Sequence, residues 1–519
     1  MHAAGQMLFS YMAEKNAKYH PDKTYLVEGG RSCGFGRFET RTNQLARGLM
    51  ARGLQTGGRV CILNHNAIEN LEVFFGAMKA GGVFCPINAR LAAPEVMAIV
   101  KDARPSLVVA GPEYRDKITG CKEMKIPVAL LSEDAEDLLA YETLLAGRDA
   151  GRVEPKCQEH DLAALIYTSG TTGRPKGVMW THRNLFSSAQ ASAISRRTSP
   201  DDVAMVAAPV YQAAGVGTVL SSTYRGNTVV LLNKFDPEAY LAAIQAHRVT
   251  TAFVVPAMVL MLLRSPALDK YDISSLTTIC YGSAPMPLNI LREAMERFAW
   301  RFMGACGATE TSPGYIAFLG DRDHRLDGSP EKEKRLSSIG KESINAQVRI
   351  FDERDQESPP GEVGEIVLRG SNVMAGYWGQ PELTNQVLRA GFYHTGDMGY
   401  RDEDNYIFLV DRKSDLIISG GFNVYPKEIE NALCLHPAVL QAAVVGRPHP
   451  TWGETPVAFV VFRMGEEAPE KEELMDMLRQ NLAGYKLPRG GIHYLAELPL
   501  TAAGKIDKRR LRNYSDPLD

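Results

Sequence analysis

Apolar positions recur along the first part of the chain in two rhythms, and the rhythms alternate. TNQLARGLMARGL, residues 42–54, spaces its apolar side chains as one face of a helix, and the GGRVCILNH behind it reads as a short buried strand. AIENLEVFFGAMKAGG returns to helical spacing and runs into a second strand, VFCPIN. Between residues 202 and 263 the pattern repeats, with DDVAMVAAPV, NTVVLL and TTAFVVP as strands separated by helical stretches. This alternation predicts a parallel or mixed sheet covered by helices.

From about residue 320 the texture changes. GDRDHRLDGSPEKEKRLSS is a polar loop, and AQVRIFD and GEIVLRG after it are short strands punctuated by turn residues. Near 411 it changes again. PKEIENALCLHP, AVLQAAVVG, PVAFVVFR, EELMDMLRQNLA and GIHYLAEL read helix, strand, strand, helix, strand. The polar VDRKSD at 410–415 marks the boundary. The expected class is α/β. A large N-terminal domain over 1–411, built of layered α/β subdomains and a small β-barrel-like unit, precedes a small α+β C-terminal domain over 412–519.

Composition narrows the function. The 519 residues are 45% hydrophobic and 23% charged, enough to bury large cores. With 58 basic against 61 acidic residues, no field is set up to attract nucleic acid or an anionic lipid surface. The eight cysteines (33, 61, 85, 121, 157, 280, 306 and 434) include no CxxC pair. That argues against a metal or redox motif and for reduced, mostly buried thiols in a cytoplasmic protein. Residues 1–20 lack the basic and apolar segments of a signal peptide. The longest apolar run, 252–263, is broken by Pro256. It is shorter than the roughly 18 residues of a membrane span, so no transmembrane segment is expected.

YTSGTTGRPKG, residues 167–177, is dense in phosphate-binding chemistry. Its glycines let backbone N–H groups approach an anion, its hydroxyls donate hydrogen bonds, and Lys176 adds a mobile positive charge. The spacing is not that of the triphosphate P-loop, G-x-x-x-x-G-K-[ST] with a helix behind it. Counting from Gly170, Pro175 takes the second glycine position and Gly177 that of the metal-binding hydroxyl. GVMW reads as a strand and a helix opens near Thr181, so the loop joins two strands. A second motif is a decoy. GRSCG (30–34) matches the G-x-S-x-G nucleophile elbow, but Ser32 lies in a hairpin-like context where the elbow needs a strand, a sharp turn and a helix.

The loop resembles the signature of the adenylate-forming superfamily of acyl-CoA synthetases, luciferases and peptide-synthetase adenylation domains. The resemblance continues in order along nearly the whole chain. YGSAP (281–285) is similar to the adenine-contacting loop, GATET (307–311) to the Thr-Glu motif and YHTGD (393–397) to the ribose motif. DRKSD (411–415) falls at the hinge, and SGGFNVYPKEIE (419–430) and LPLTAAGKID (498–507) complete the set.

The resemblance implies a two-step reaction. A carboxylate attacks the α-phosphate of ATP, giving an acyl-adenylate and pyrophosphate, and coenzyme A then takes the acyl group. It implies that Thr168, Ser169, Gly170, Thr171, Thr172, Gly173 and Lys176 hold the phosphates, and that Glu310 with Thr168 holds Mg2+. Gly282, Ser283, Ala284, Pro285, Cys306, Gly307, Ala308 and Thr309 would surround the adenine, with Asp397 on the ribose and Arg412 on the ribose or the phosphate. Lys505 would neutralise charge on the carboxylate and the α-phosphate as the bond forms. The second step would bring in Ser419, Gly420 and Gly421 for CoA, by rotation of a mobile C-terminal domain about the hinge.

Three positions depart from the family pattern. Cys306 replaces an aromatic residue that stacks on adenine, Ser414 replaces the Asp or Lys of the hinge, and Gln212 stands where a gating histidine is common. For the acid, the resemblance points to Tyr211, Gln212, Ala214, Gly215, Ser283 and Ala308. Small residues (Ala213, Ala214, Gly215, Gly217, Gly304, Ala305, Cys306, Ala308) dominate these segments and leave room for a bulky apolar acid. A medium or long fatty acid is the first expectation and an aryl or alicyclic acid the second. Loading of a carrier-protein phosphopantetheine and a non-catalytic nucleotide-binding relative are the alternatives. Oligomeric state stays open, a homodimer included.

Overall fold

The computed structural model describes residues 8–168, 175–463, 468–501 and 506–514. The chain divides into two compact units, one of residues up to Val348 together with Leu368–Tyr393, the other of Arg349–Val367 together with His394 onward.

The first unit holds two large sheets. Five neighbouring parallel strands form the middle of the nine-stranded sheet: Arg301–Cys306, Thr278–Gly282, Thr251–Val254, Val203–Val206 and Thr228–Leu231. The eight-stranded sheet runs from Gly376–Tyr377 through Lys176–Thr181 and Leu162–Thr168 to Val83–Ile87, Arg59–Leu63 and beyond. The expected strands GGRVCILNH, VFCPIN, NTVVLL and TTAFVVP are all present. The first expected helix begins earlier than its apolar rhythm shows, at Phe35, and runs to Ala51. The apolar run at 252–263 divides at its proline. Thr251–Val254 is a strand, and Pro256 then opens the helix Pro256–Leu263, because proline fits the first turn where its missing N–H costs nothing. Ser32 sits on the second arm of a hairpin, paired with Val27, as its context implied.

In the second unit the middle of the long hairpin Val439–His449/Gly453–Phe462 is buried on both faces. Ala442, Val444, Ala458 and Val460 pack with Ile429, Leu433, Leu474 and Leu478 of two helices on one face. Ala443, Val445, Val457, Phe459 and Val461 pack with Leu498 and Leu511 on the other. Strands Ile417–Ser419, Phe422–Val424 and Ile492–Tyr494 complete this sheet. The 411/412 boundary expected from sequence lies inside the second unit.

Candidate active site

Strand Leu162–Thr168 pairs antiparallel with Lys176–Thr181, and Thr168 stands opposite Lys176 at the mouth of the intervening loop. Ser169, Gly170, Thr171, Thr172 and Gly173 lie outside the described residues, as does Lys505. The strand after the loop ends at Thr181, which caps the helix His182–Ser195. Its hydroxyl accepts from Asn184 N at 3.1 Å, and Asn184 Oδ1 accepts from Thr181 N at 2.9 Å. The loop therefore links two strands.

Beside it, the Thr-Glu motif is a short turn, Thr309–Thr311, fixed through its carbonyls. The buried Trp180 donates from Nε1 to Thr309 O at 2.8 Å, and Met374 N donates to Glu310 O at 2.9 Å. The Ala308 N–H is held by Thr311 Oγ1 at 3.0 Å. A Cβ on Gly307 would stand 2.5 Å from Gly314 O, so the turn closes only around glycine. Glu310 Oε1 accepts a hydrogen bond of 2.8 Å from the Tyr377 hydroxyl. The Tyr377 ring in turn lies 5.6 Å from Lys176 Nζ. Burial and then the Glu310 charge push the Tyr377 phenol well above its ordinary pKa, so it stays a donor. Glu310 and Lys176 are thus joined by a residue that sequence reasoning missed. Nothing in MAGYWG marks Tyr377 until its pairing with Val178, next in line to the loop, is known.

The adenine segment sits at the end of the adjacent strands. A Cβ on Gly282 would fall 2.3 Å from Ala305 O, and Ser283 follows with φ of 66°, a left-handed conformation for a residue with a side chain. Ala284 and Pro285 continue this loop, and Cys306 is half-buried at the end of the strand beside it.

On the acyl side the small residues divide into two kinds. Gly215 would place a Cβ 2.2 Å from Pro209 O and Gly217 2.9 Å from Pro313 O, so those glycines allow backbone to approach closely. They do not leave empty space. Ala214 and Ala305 instead pack around Ala208, Phe253, Cys280 and Phe318, and Tyr315 stacks on Phe318 at 5.4 Å. Tyr211 is buried in the core of the other sheet, beside Leu165 and Tyr114. Gln212 is half-buried at the cap of the helix Ala213–Arg225, and its side chain makes no capping bond.

The remaining predicted residues belong to the second unit. Asp397 and Arg412 face each other across paired strands, Arg412 Nε 3.2 Å from Asp397 Oδ1. The Gly396 N–H is held by Glu365 Oε1 at 3.0 Å, and Thr395 Oγ1 accepts the Asp397 N–H at 3.0 Å. Gly420 and Gly421, with φ of 59° and 82°, form the two-residue turn between Ser419 and Phe422, where a hairpin calls for left-handed residues. A Cβ on Gly420 would meet the Trp452 ring at 2.8 Å. Ser414 is exposed.

The chain matches the model of the AMP-binding enzyme over residues 13–378 and that of the AMP-binding enzyme C-terminal domain over 428–505. It belongs to the AMP-binding enzyme family. A feruloyl-CoA synthase of Amycolatopsis sp is 38% identical over 502 residues, which span 96% of this chain and 97% of that one. The fatty acid–[acyl-carrier-protein] ligase ScoC of Streptomyces coeruleorubidus is 34% identical over 96% of this chain and 94% of its own. Among solved structures, ATP-bound MatB from Rhodopseudomonas palustris matches with a TM-score of 0.88 at 31% identity, covering 97% of this chain and 98% of that one. As an AMP-binding enzyme the protein carries out ATP-dependent adenylation, forming acyl-adenylates. ATP, Mg2+ and CoA are the reactants and cofactor typical of AMP-forming ligases in this family. Among the described residues, no helix is long and apolar enough to cross a membrane.

Proposed function

We propose that this AMP-binding enzyme activates an aryl-substituted carboxylic acid and passes it to coenzyme A, giving an aryl acyl-CoA, AMP and pyrophosphate. The observation that carries the reading is the cluster of small side chains and flat rings formed by Ala214 and Ala305 with Phe253 and Phe318. Aromatic faces prefer to pack on other aromatic faces, so rings on this side suit an acid that itself carries a ring. The similar feruloyl-CoA synthase supports the same class. We therefore place an aryl acid ahead of the fatty acid expected first from sequence.

The roles follow from the residues. Lys176 holds the departing pyrophosphate, and its approach to Tyr377 keeps it next to Glu310. Glu310 and Thr168 offer hard oxygens that fit Mg2+. Among the described residues no three His, Cys, Asp or Glu converge. A small oxygen set suits an ion held mainly by phosphate oxygens, where it draws off charge from the leaving group. Asp397 and Arg412 take the ribose, and Lys505 stabilises charge at the α-phosphate during adenylation. Residues 412–519 act as the mobile domain, and the Ser419–Gly421 turn serves the thioester step.

Acid-dependent ATP–pyrophosphate exchange over hydroxycinnamic, arylacetic, benzoic and fatty acids tests the class, with CoA and a phosphopantetheinyl carrier protein compared as acceptors. Fastest exchange with a fatty acid would overturn the aryl assignment, and acyl transfer to the carrier alone would overturn the CoA assignment.

A further inference from the structure

The short basic helix Lys508–Arg512 begins three residues beyond Lys505, and its two charged ends meet Glu430 and the linker residue Asp415. Lys508 Nζ lies 2.9 Å from Glu430 Oε1. Glu430, on the helix Pro426–Leu433, is 5% exposed and also accepts from Val444 N at 3.0 Å and Lys427 Nζ at 3.3 Å. The backbone N–H of Lys427 donates to Asp411 Oδ2 at 2.8 Å, and the N–H of Arg412 donates to Asp411 Oδ1 at 2.8 Å. At the far end of the short helix, Arg512 Nη2 lies 2.7 Å from Asp415 Oδ1. Leu511 between them is buried in the core.

Burial works against each charge. For Glu430 it is outweighed by Lys508 and Lys427, and the carboxyl stays below its ordinary pKa. For Lys508 it is outweighed by Glu430, then Asp411, and the ammonium stays above its own. A packed apolar pair of the same volume would often stabilise a fold as well or better, so stability alone does not account for the charges. Their placement does. Asp411 and Asp415 bracket Arg412, Lys413 and Ser414; Arg512 meets Asp415 directly, and Lys508 meets Glu430 on the helix whose Lys427 N–H holds Asp411.

We propose that Lys508 and Arg512 are positioning residues for adenylation, fixing the helix that follows Lys505 to Asp415 directly and to Asp411 through the helix Pro426–Leu433, so that a turn of the linker carries the Lys505 segment with it. This rests on the reading of Lys505 given above.

The test separates the two half-reactions, using the full chain and the acid with fastest exchange. Lys508→Met strands Glu430, so it is paired with the double variant Lys508→Met/Glu430→Gln, which removes both charges. The double variant is expected to melt near the parent and to lose about 100-fold in ATP–pyrophosphate exchange, while making thioester from ready-made acyl-AMP and CoA within about twofold of the parent. Lys508→Arg restores most of the exchange, and Arg512→Ala lowers it about tenfold in the same selective way. Parent-level exchange in the double variant, or an equal fall in both half-reactions, overturns the proposal. Lys505→Ala runs beside these. If it abolishes exchange while the double variant keeps it, only the role of Lys508 falls. If it keeps full exchange, the reading of Lys505 and this inference fall together.

Discussion

Tyr377 donates its hydroxyl to Glu310 Oε1 at 2.8 Å while its ring lies 5.6 Å from Lys176 Nζ. One side chain thus orients a candidate metal-binding carboxylate and a candidate phosphate-binding ammonium, and its two contacts can be removed separately. Tyr377→Phe keeps the ring beside Lys176 and frees the carboxylate to rotate. It should raise the Mg2+ concentration for half-maximal exchange about tenfold, the usual cost of losing a group that orients a metal ligand. Tyr377→Ala should in addition raise KM for pyrophosphate in the exchange. A Mg2+ titration of Tyr377→Phe that overlays the parent would remove Tyr377 from the site.

Two glycines distinguish the working motif from its decoy. Gly307→Ala drives a Cβ to 2.5 Å from Gly314 O, backbone against backbone, and should cost about 1–3 kcal/mol of stability and at least tenfold in KM for ATP. A Cβ added to Gly30 in GRSCG would meet nothing within 4 Å. Gly30→Ala, and likewise Ser32→Ala, should leave adenylation unchanged and stability within about 0.5 kcal/mol. Denaturant midpoints and ATP titrations of the three variants decide this, and loss of activity in Ser32→Ala would reopen the elbow.

The layered α/β plan was legible because its strands are buried on both faces and read as continuous apolar runs, VFCPIN and TTAFVVP among them. The loop between two strands was legible from the strand-like GVMW behind it and the helix opening near Thr181. Tyr377 was not legible, because its role depends on a pairing with Val178 across about 200 residues of chain, and local pattern carries no such register. Small residues misled for a related reason. Gly215 and Gly217 looked like open pocket wall, yet each admits a neighbouring carbonyl, which only the packed strands and helix show. The paired glycines at 420–421, expected to serve CoA, have a local cause in the turn before Phe422.

The cysteines should divide under native thiol labelling. Six of the eight are buried, while Cys306 and Cys434 are half-buried. Burial pushes the thiols of Cys33, Cys121 and Cys157 up to about 11, so little thiolate exists at about pH 8 even when a reagent enters. Mass mapping after brief alkylation should find label on Cys306 first, and ATP should slow it if Cys306 borders the adenine. Burial also raises Cys434, which should lag. Equal labelling of Cys306 with and without ATP would separate that residue from the nucleotide.

Acid stability should report on His182, the first residue of the helix after the loop strand. Its ring is fully buried, Nε2 meets Cys157 Sγ at 3.4 Å, and Nδ1 has no hydrogen-bond partner among the described residues. Burial lowers its pKa from 6.5 to about 4, against a smaller opposing pull from Asp161, and the helix N-terminus also disfavours a positive ring. The unfolded chain therefore binds a proton in a range where the folded chain does not. Stability from this group is complete above pH 6.5 and falls as pH drops towards 4, by about 3 kcal/mol in all. His182→Gln removes the titration, so its stability should decline less steeply over that window, by up to about 1.4 kcal/mol per pH unit. Urea midpoints of both proteins at intervals from about pH 4.5 to 7.5 measure the difference, and parallel curves would show that His182 accepts its proton in the folded state.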